Sequence, residues 1–502
     1  MLPSTTTDKK AGLAYWAARV LEECDKASAG FAADPVHDLR VAIRRCRSMA
    51  DGFMSVDPDP AWKQMKRLAK PLFSALGELR DTQVMLEWIP KLAPHDDPLA
   101  GELSASLRQK ESRLKEAAQS TLAHFDHRHW LSLNEQLATR TGRVPLEGLV
   151  FQHLALERWV EARQLHRRAL RNRSGFAWHQ LRIGIKRFRY TVENFLPQRH
   201  EKWSKDLRDL QDALGEVHDL DVLRTLINTH RGIQPAERSR WQVRIAEERQ
   251  KRLHLYRRKM IGRNSLWELW RSELPSGAAL EEAGLEKLRT WASFLDPDVP
   301  HSQLVAHLAM KLYDGLSQCG MLRLAPHARV VLQAAAFLHQ IGRGKPANGK
   351  PGGHRKRAEK MVSKLEPPLG WSEQDIQWLG ALVRYHCGPL PRRTDSHFVG
   401  VDRQSRSQLL GLIGVLRLAN ALDASQCGRM PELVITRKDG AAVILVQGLR
   451  SLSRAAERIA RARYLLETVC RRPIVVRPLR ARAKRDSRTA RVLTRAAQAS
   501  RA

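Results

Sequence analysis

His37-Asp38-Leu39-Arg40-Val41-Ala42-Ile43-Arg44-Arg45-Cys46-Arg47 returns downstream as His179-Gln180-Leu181-Arg182-Ile183-Gly184-Ile185-Lys186-Arg187-Phe188-Arg189. Each copy opens with a histidine and places basic residues three, seven, eight and ten positions later. At about 100° per residue these offsets put His37, Arg40, Arg44 and Arg47 on one stripe of a helix, with Arg45 flanking it. Leu39, Ile43 and Cys46 fall on the opposite face, and Leu181, Ile185 and Phe188 repeat that arrangement. One side of each helix is therefore core, and the other is a row of cations about 15 Å long. Such a row suits a linear, closely spaced polyanion.

The repetition continues past these helices. Ala75-Leu76-Gly77-Glu78-Leu79-Arg80-Asp81 is matched by Ala213-Leu214-Gly215-Glu216-Val217-His218-Asp219, at nearly the same distance from each histidine. Ahead of each lies a further basic set: Lys63, Lys66, Arg67 and Lys70 in the first copy, Lys202, Lys205 and Arg208 in the second. Each copy is a unit of two or more helices, and two such units predict a pseudo-symmetric bundle whose basic stripes face a common groove.

The doubled His-x-x-Arg-x-x-x-Arg/Lys-Arg-x-Arg pattern, with its Leu-Gly-x-x-x-Asp partner, resembles the CHAD family of conserved-histidine α-helical domains over residues 8–272. The resemblance implies binding of inorganic polyphosphate. It also implies an anion surface of His37, Arg40, Arg44, Arg45, Arg47, His179, Arg182, Lys186, Arg187 and Arg189, completed by Lys66, Lys70, Lys205 and Arg208. Tyr190 follows the second motif in the family manner, whereas Ser48 stands at that place in the first.

Composition agrees with an anionic partner. The 502 residues carry 86 Lys and Arg against 53 Asp and Glu, a formal charge of +33, which speaks of partners rather than of fold. The last 32 residues hold ten Arg and one Lys against one Asp. Over 479–502 this predicts a disordered basic tail able to hold nucleic acid non-specifically. Cys24, Cys46, Cys319, Cys387, Cys427 and Cys470 show no paired or framework spacing, so they read as ordinary thiols in a reducing compartment. Charges interrupt the short apolar stretch near the N-terminus, and no uncharged apolar run approaches the ~18 to 20 residues of a membrane span. A cytoplasmic protein is expected.

Length and punctuation predict a mainly α protein in several parts. Residues 1–272 form the repeated bundle, 273–300 a linker marked by Leu274-Pro275-Ser276-Gly277 and Asp296-Pro297-Asp298-Val299-Pro300, and 301–430 a second helical block. A small α+β portion spans 431–478. In it, strands at Glu432–Thr436 and Ala442–Val446 are joined through Asp439-Gly440, followed by a helix near Ser451–Thr468 and a strand near Ile474–Val476. Trp16, Trp62, Trp88, Trp159 and Trp203 stand at helical spacings among apolar residues and are expected in the core.

In the second block His301, His339-Gln340, His354, Tyr385-His386 and Asn420-Ala421-Leu422-Asp423 follow in the order of an HD-type domain. More narrowly, the block is similar to the C-terminal half of the exopolyphosphatase and guanosine pentaphosphate phosphatase family. An active HD domain holds a divalent cation with imidazole and carboxylate together. Here the pair is His339-Gln340, and Asn420 stands where a terminal aspartate is expected, with Asp423 one turn later. The sequence therefore predicts no cofactor and a relic of a metal site at His301, His339, His354, His386 and Asp423. Arg343, Lys345, Lys350, His354, Arg355, Lys356 and Arg357 offer a further basic surface. The reading that results is a polyphosphate-binding protein directed to cytoplasmic granules, with a metal-dependent phosphohydrolase and a non-specific nucleic-acid binder as rivals. His37 and His179, when protonated, are expected to strengthen binding near about pH 6 relative to about pH 8.

Overall fold

The computed structural model describes residues 12–94, 97–230, 232–344, 353–423, 432–449 and 454–479. Lys345, Lys350 and, apart from Leu479, the expected tail lie outside these residues. The chain divides into two compact units, Met1–Trp291 and Ala292–Ala502.

The first unit is helical throughout: α1 Leu13–Ser28, α2 Ala33–Phe53, α3 Ala61–Leu68, α4 Lys70–Leu92, α5 Pro98–Ala123, α6 His127–Thr141, α7 Leu149–Asn172, α8 Gly175–Phe195, α9 Pro197–Thr229, α10 Pro235–Met260 and α11 Leu266–Ser272, with α12 Gly277–Ser293 reaching the boundary. The duplication is visible in the packing. The α1–α2 pair corresponds to α7–α8, and α4–α5 corresponds to α9–α10. The two copies meet where α2 lies on α8 and α4 on α9. One asymmetry has a simple cause. Pro71 sits at the second position of α4, where its missing N–H costs nothing, and the helix restarts there, whereas α9 has no proline after Pro197 and runs unbroken for 33 residues.

Leu39, Ile43 and Cys46, with Leu181, Ile185 and Phe188, are completely buried, so the apolar faces of α2 and α8 form core as their periodicity requires. An aromatic cluster joins the copies. Phe53 stacks on Trp62 with centroids 4.9 Å apart, Phe151 stacks on Phe195 at 4.2 Å, and Phe53 meets both Phe151 and Phe195 edge-on at 5.5 Å. A second cluster, including Trp88, Leu103, Leu223 and Trp241, ties α4 and α5 to α9 and α10. Of the five tryptophans, Trp62, Trp88 and Trp203 are buried, while Trp16 and Trp159 are half-buried.

The expected linker is mostly helix: Gly277–Ser293 is rich in Ala, Leu, Glu and Lys, and the Pro and Gly clusters only bound it. The second unit continues with α13 Val299–Gln318, α14 Pro326–Leu338, a 3-10 turn Ile341–Arg343, α15 His354–Val362, α16 Glu373–Tyr385 and α17 Arg403–Asp423. A three-stranded sheet follows: β1 Leu433–Lys438 antiparallel to β2 Ala441–Gln447, then α18 Arg454–Cys470, then β3 Ile474–Leu479 parallel to β2. Asp439 and Gly440 both take positive φ, 51° and 76°, as the tight hairpin requires. The molecule is mainly α with a small α+β C-terminal portion, as its sequence predicts.

Candidate functional site

Where α2 crosses α8, Arg40 and Arg44 from the first copy meet Arg182 and Lys186 from the second. All four are half-buried, and Arg40, Arg44 and Arg182 each lower the ionisation of others in the set. Arg40 is the most tightly placed. Its Nη1 donates to the Phe73 carbonyl at 3.0 Å, and its guanidinium lies over the Phe73 ring at 4.8 Å. A Cβ on Gly77 would come within 2.9 Å of that Nη1, so the glycine of the first Leu-Gly segment leaves room for the guanidinium. Gly215 meets nothing within 4 Å, so the second copy has no such constraint. Arg44 Nη1 donates to the Tyr190 hydroxyl at 2.8 Å. The Nε of Arg182 is buried without an acceptor.

Among the described residues, no carboxylate lies within ion-pair distance of any of the four. Asp81 and Asp219, the aspartates that close the Leu-Gly-x-x-x-Asp segments, act on them from farther off. Four cations against two carboxylates leave uncompensated positive charge in a partly dry site, an arrangement that costs several kcal/mol unless an anion arrives. Lys186 shows the strain. Burial, then Arg182 and Arg44, pull its ammonium down to about 6, while burial pushes the Asp219 carboxyl up to about 6. Burial first and Arg44 next lower the Arg40 guanidinium to about 10.

The histidines lie beside this cluster, and the same cations act on them. Burial and then Arg80 and Arg44 hold His37 below the ordinary imidazole range. Burial and then Arg182 and Lys186 do the same to His179. His179 Nδ1 lies 3.2 Å from Nδ1 of His218, a ring lowered by burial and Arg182 to about 4. Burial and neighbouring cations thus lower both motif histidines, while Lys186 and Asp219 are both brought to about 6.

The remaining basic residues divide by what holds them. Arg45 pairs with Glu193, donates to Asn194 Oδ1 at 3.1 Å and covers the Trp16 ring. Arg47 donates to the Lys66 carbonyl at 3.1 Å, and Lys66 itself pairs with Asp51. Arg187 is bound to Glu161 at 2.6 Å, and Arg189 lies 3.6 Å from Glu193. Lys70, Lys205 and Arg208 are exposed on α4 and α9. The stripes thus split into a central quartet with no carboxylate in ion-pair contact, four flanking residues paired with carboxylates (Arg45, Lys66, Arg187 and Arg189), and Arg47, held by a carbonyl. Asp81, Asp219 and His218 belong to the same neighbourhood; their signal was their fixed place after each Leu-Gly pair.

In the second unit the ends of α13, α14, α16 and α17 and the start of α15 converge, and the five relic residues come together with them. His301 Nδ1 bonds Asp423, and His301 Nε2 lies 3.1 Å from His339 Nε2. Nδ1 of His339 faces the Ala336 carbonyl at 2.6 Å, and Nδ1 of His386 faces the Val383 carbonyl at 2.8 Å. The ligand atoms of His354, His386 and Cys387 lie within 4.8 Å of one another. Cys387, read from sequence as an ordinary thiol, is thus part of this cluster.

These donors do not fit a hydrolytic dication. Gln340 and Asn420 supply amides where carboxylates would neutralise the metal, and Arg343, Arg355 and Arg417 crowd the cluster with positive charge. Burial holds both His339 and His386 far below the ordinary range, His386 at about 3.

The family model of the CHAD domain matches residues 13–228, and that of the Ppx/GppA phosphatase, domain III, matches residues 288–445. No curated protein matches the chain. The protein therefore carries a CHAD domain followed by a domain of the Ppx/GppA phosphatase type, and both point to a polyphosphate-related function. No described helix is long and apolar enough to cross a membrane.

Proposed function

We propose that the protein binds inorganic polyphosphate across the junction of α2 and α8 without cutting it, and by that binding attaches to cytoplasmic polyphosphate granules. The observation that carries this reading is the meeting of Arg40, Arg44, Arg182 and Lys186 with no carboxylate in ion-pair contact among the described residues. Phosphoryl oxygens entering the cluster would accept charge-assisted hydrogen bonds from the arginine forks and the lysine, removing the penalty of buried, like-charged neighbours. The exposed Lys70, Lys205 and Arg208 would hold flanking phosphates more loosely, and the equal spacing of phosphates along the chain matches a row of cations from two equivalent helices.

Competition between long-chain polyphosphate and duplex DNA at fixed salt tests the reading. Polyphosphate should displace DNA at far lower phosphate concentration, because a half-buried cluster admits a slender chain and excludes a duplex. Equal competition would mean a generic cationic surface. The polymer should also be recovered at full length after incubation with Mg2+ or Mn2+. Metal-dependent phosphate release that disappears in His339→Ala would replace binding by hydrolysis.

A further inference from the structure

The histidine end of the second unit opens into a cavity of about 560 Å3 whose wall is cationic. Arg343 reaches it from the turn after α14, Arg417 from α17, and Arg458 and Arg461 from α18. Arg417 is anchored: its Nη1 and Nη2 donate to the carbonyls of Tyr385 and Gly388, each at 2.7 Å, while its Nε stays buried without an acceptor. The side chains of Arg343, Arg458 and Arg461 make no hydrogen bond or ion pair among the described residues. The two carboxylates on the wall are both engaged, Asp298 accepting from the His301 backbone N–H at 3.2 Å and Asp423 bonded to the His301 ring. Gln340 is buried and presents an Oε1 with no donor.

We propose that this cavity is a second, separate phosphoanion site that takes a terminal phosphoryl group. Guanidinium groups from three elements around one space match the oxygens of a tetrahedral oxyanion. A terminal phosphoryl group, with its extra negative charge and additional free oxygen, suits several guanidiniums better than an internal phosphate of a chain does. Among the described residues no Phe, Tyr or Trp lines the wall, so recognition there rests on charge and hydrogen bonds. The terminal group can belong to free pyrophosphate or to the end of a polyphosphate chain. This site does not depend on the cluster between α2 and α8.

Calorimetric titration of the full chain with pyrophosphate, in the presence of a chelator, tests the proposal. The titration is repeated in the chain carrying Arg40→Ala, Arg44→Ala, Arg182→Ala and Lys186→Ala, so that the first unit's cluster cannot supply the signal. One pyrophosphate should bind per chain in both backgrounds, and Arg458→Ala and Arg461→Ala, both exposed on α18 and harmless to folding, should each weaken it about tenfold or more. Displacement by long-chain polyphosphate at a matched concentration of ends assigns the site to chain ends; failure to displace assigns it to free pyrophosphate. Affinity unchanged in both arginine variants overturns the proposal. Binding that needs added divalent metal and vanishes in His354→Ala also overturns it, because the cluster would then be a metal centre.

Discussion

Lys186 is where charge and burial conflict most sharply. Burial and then Arg182 and Arg44 lower its ammonium to about 6, so it is the cation of the set that most readily gives up its proton, and a phosphate beside it would hold that proton in place. Binding should therefore take up a proton between about pH 7 and 8, read as a dependence of binding enthalpy on the ionisation enthalpy of the buffer, and affinity should rise as pH falls toward 6. Lys186→Met should reduce this pH dependence, with Asp219, raised to about 6 by burial, carrying what remains, whereas His37→Ala with His179→Ala should leave it in place; the reverse result would return the role to the histidines. The same shift acts on stability. Because the folded-state value lies below the unfolded value of 10.5, the unfolded chain binds the proton first as pH falls. The lysine thus costs stability progressively from about pH 10 down to 6, with no further loss below. Without ligand, Lys186→Met should be more stable than wild type at pH 6 by a larger margin than at pH 9, measured by denaturant unfolding.

Helix by helix, the contacts that bring the cations together are made by small residues. A Cβ on Gly52 would sit 2.3 Å from the Phe195 ring, where the end of α2 meets the end of α8, so Gly52→Ala should destabilise the first unit by ~1–3 kcal/mol in denaturant unfolding. Gly77→Ala on α4 should act differently. The atom it displaces is the tip of the Arg40 side chain, so polyphosphate affinity should fall with little change in stability. These elements were largely legible in the sequence. The His-to-Arg offsets fixed which faces of α2 and α8 are core, the Leu-Gly-x-x-x-Asp segments marked their partner helices, and Asp439-Gly440 marked the hairpin. Less legible was which cations stay unpaired. Arg45 and Arg187 differ from Arg44 and Lys186 by one position, and only the packing of α8 and α7 supplies Glu193 and Glu161 to them. Nor could periodicity place Cys387 and its neighbour His386 among histidines drawn from three other segments, or turn Pro275 and Pro297 into the boundaries of a helix rather than the ends of a linker. Such facts depend on side chains far apart in the chain.

Taken whole, the chain joins two units whose cationic sites arise differently. In the first, duplication of one helical motif doubles a stripe of charge. In the second, arginines from separate elements line a cavity beside a cluster of histidines. The formal charge of +33 spread over the chain attracts any polyanion at low salt, so only close contacts distinguish a site from a charged surface. The decisive measurement is long-chain polyphosphate affinity at about physiological ionic strength for the intact chain and for the chain with Arg40, Arg44, Arg182 and Lys186 all replaced by alanine, each checked for native helicity. The account predicts tight binding by the first and loss of most of that affinity in the second. Equal affinity in a folded variant would contradict it, and would make the duplicated stripe a feature of the fold alone.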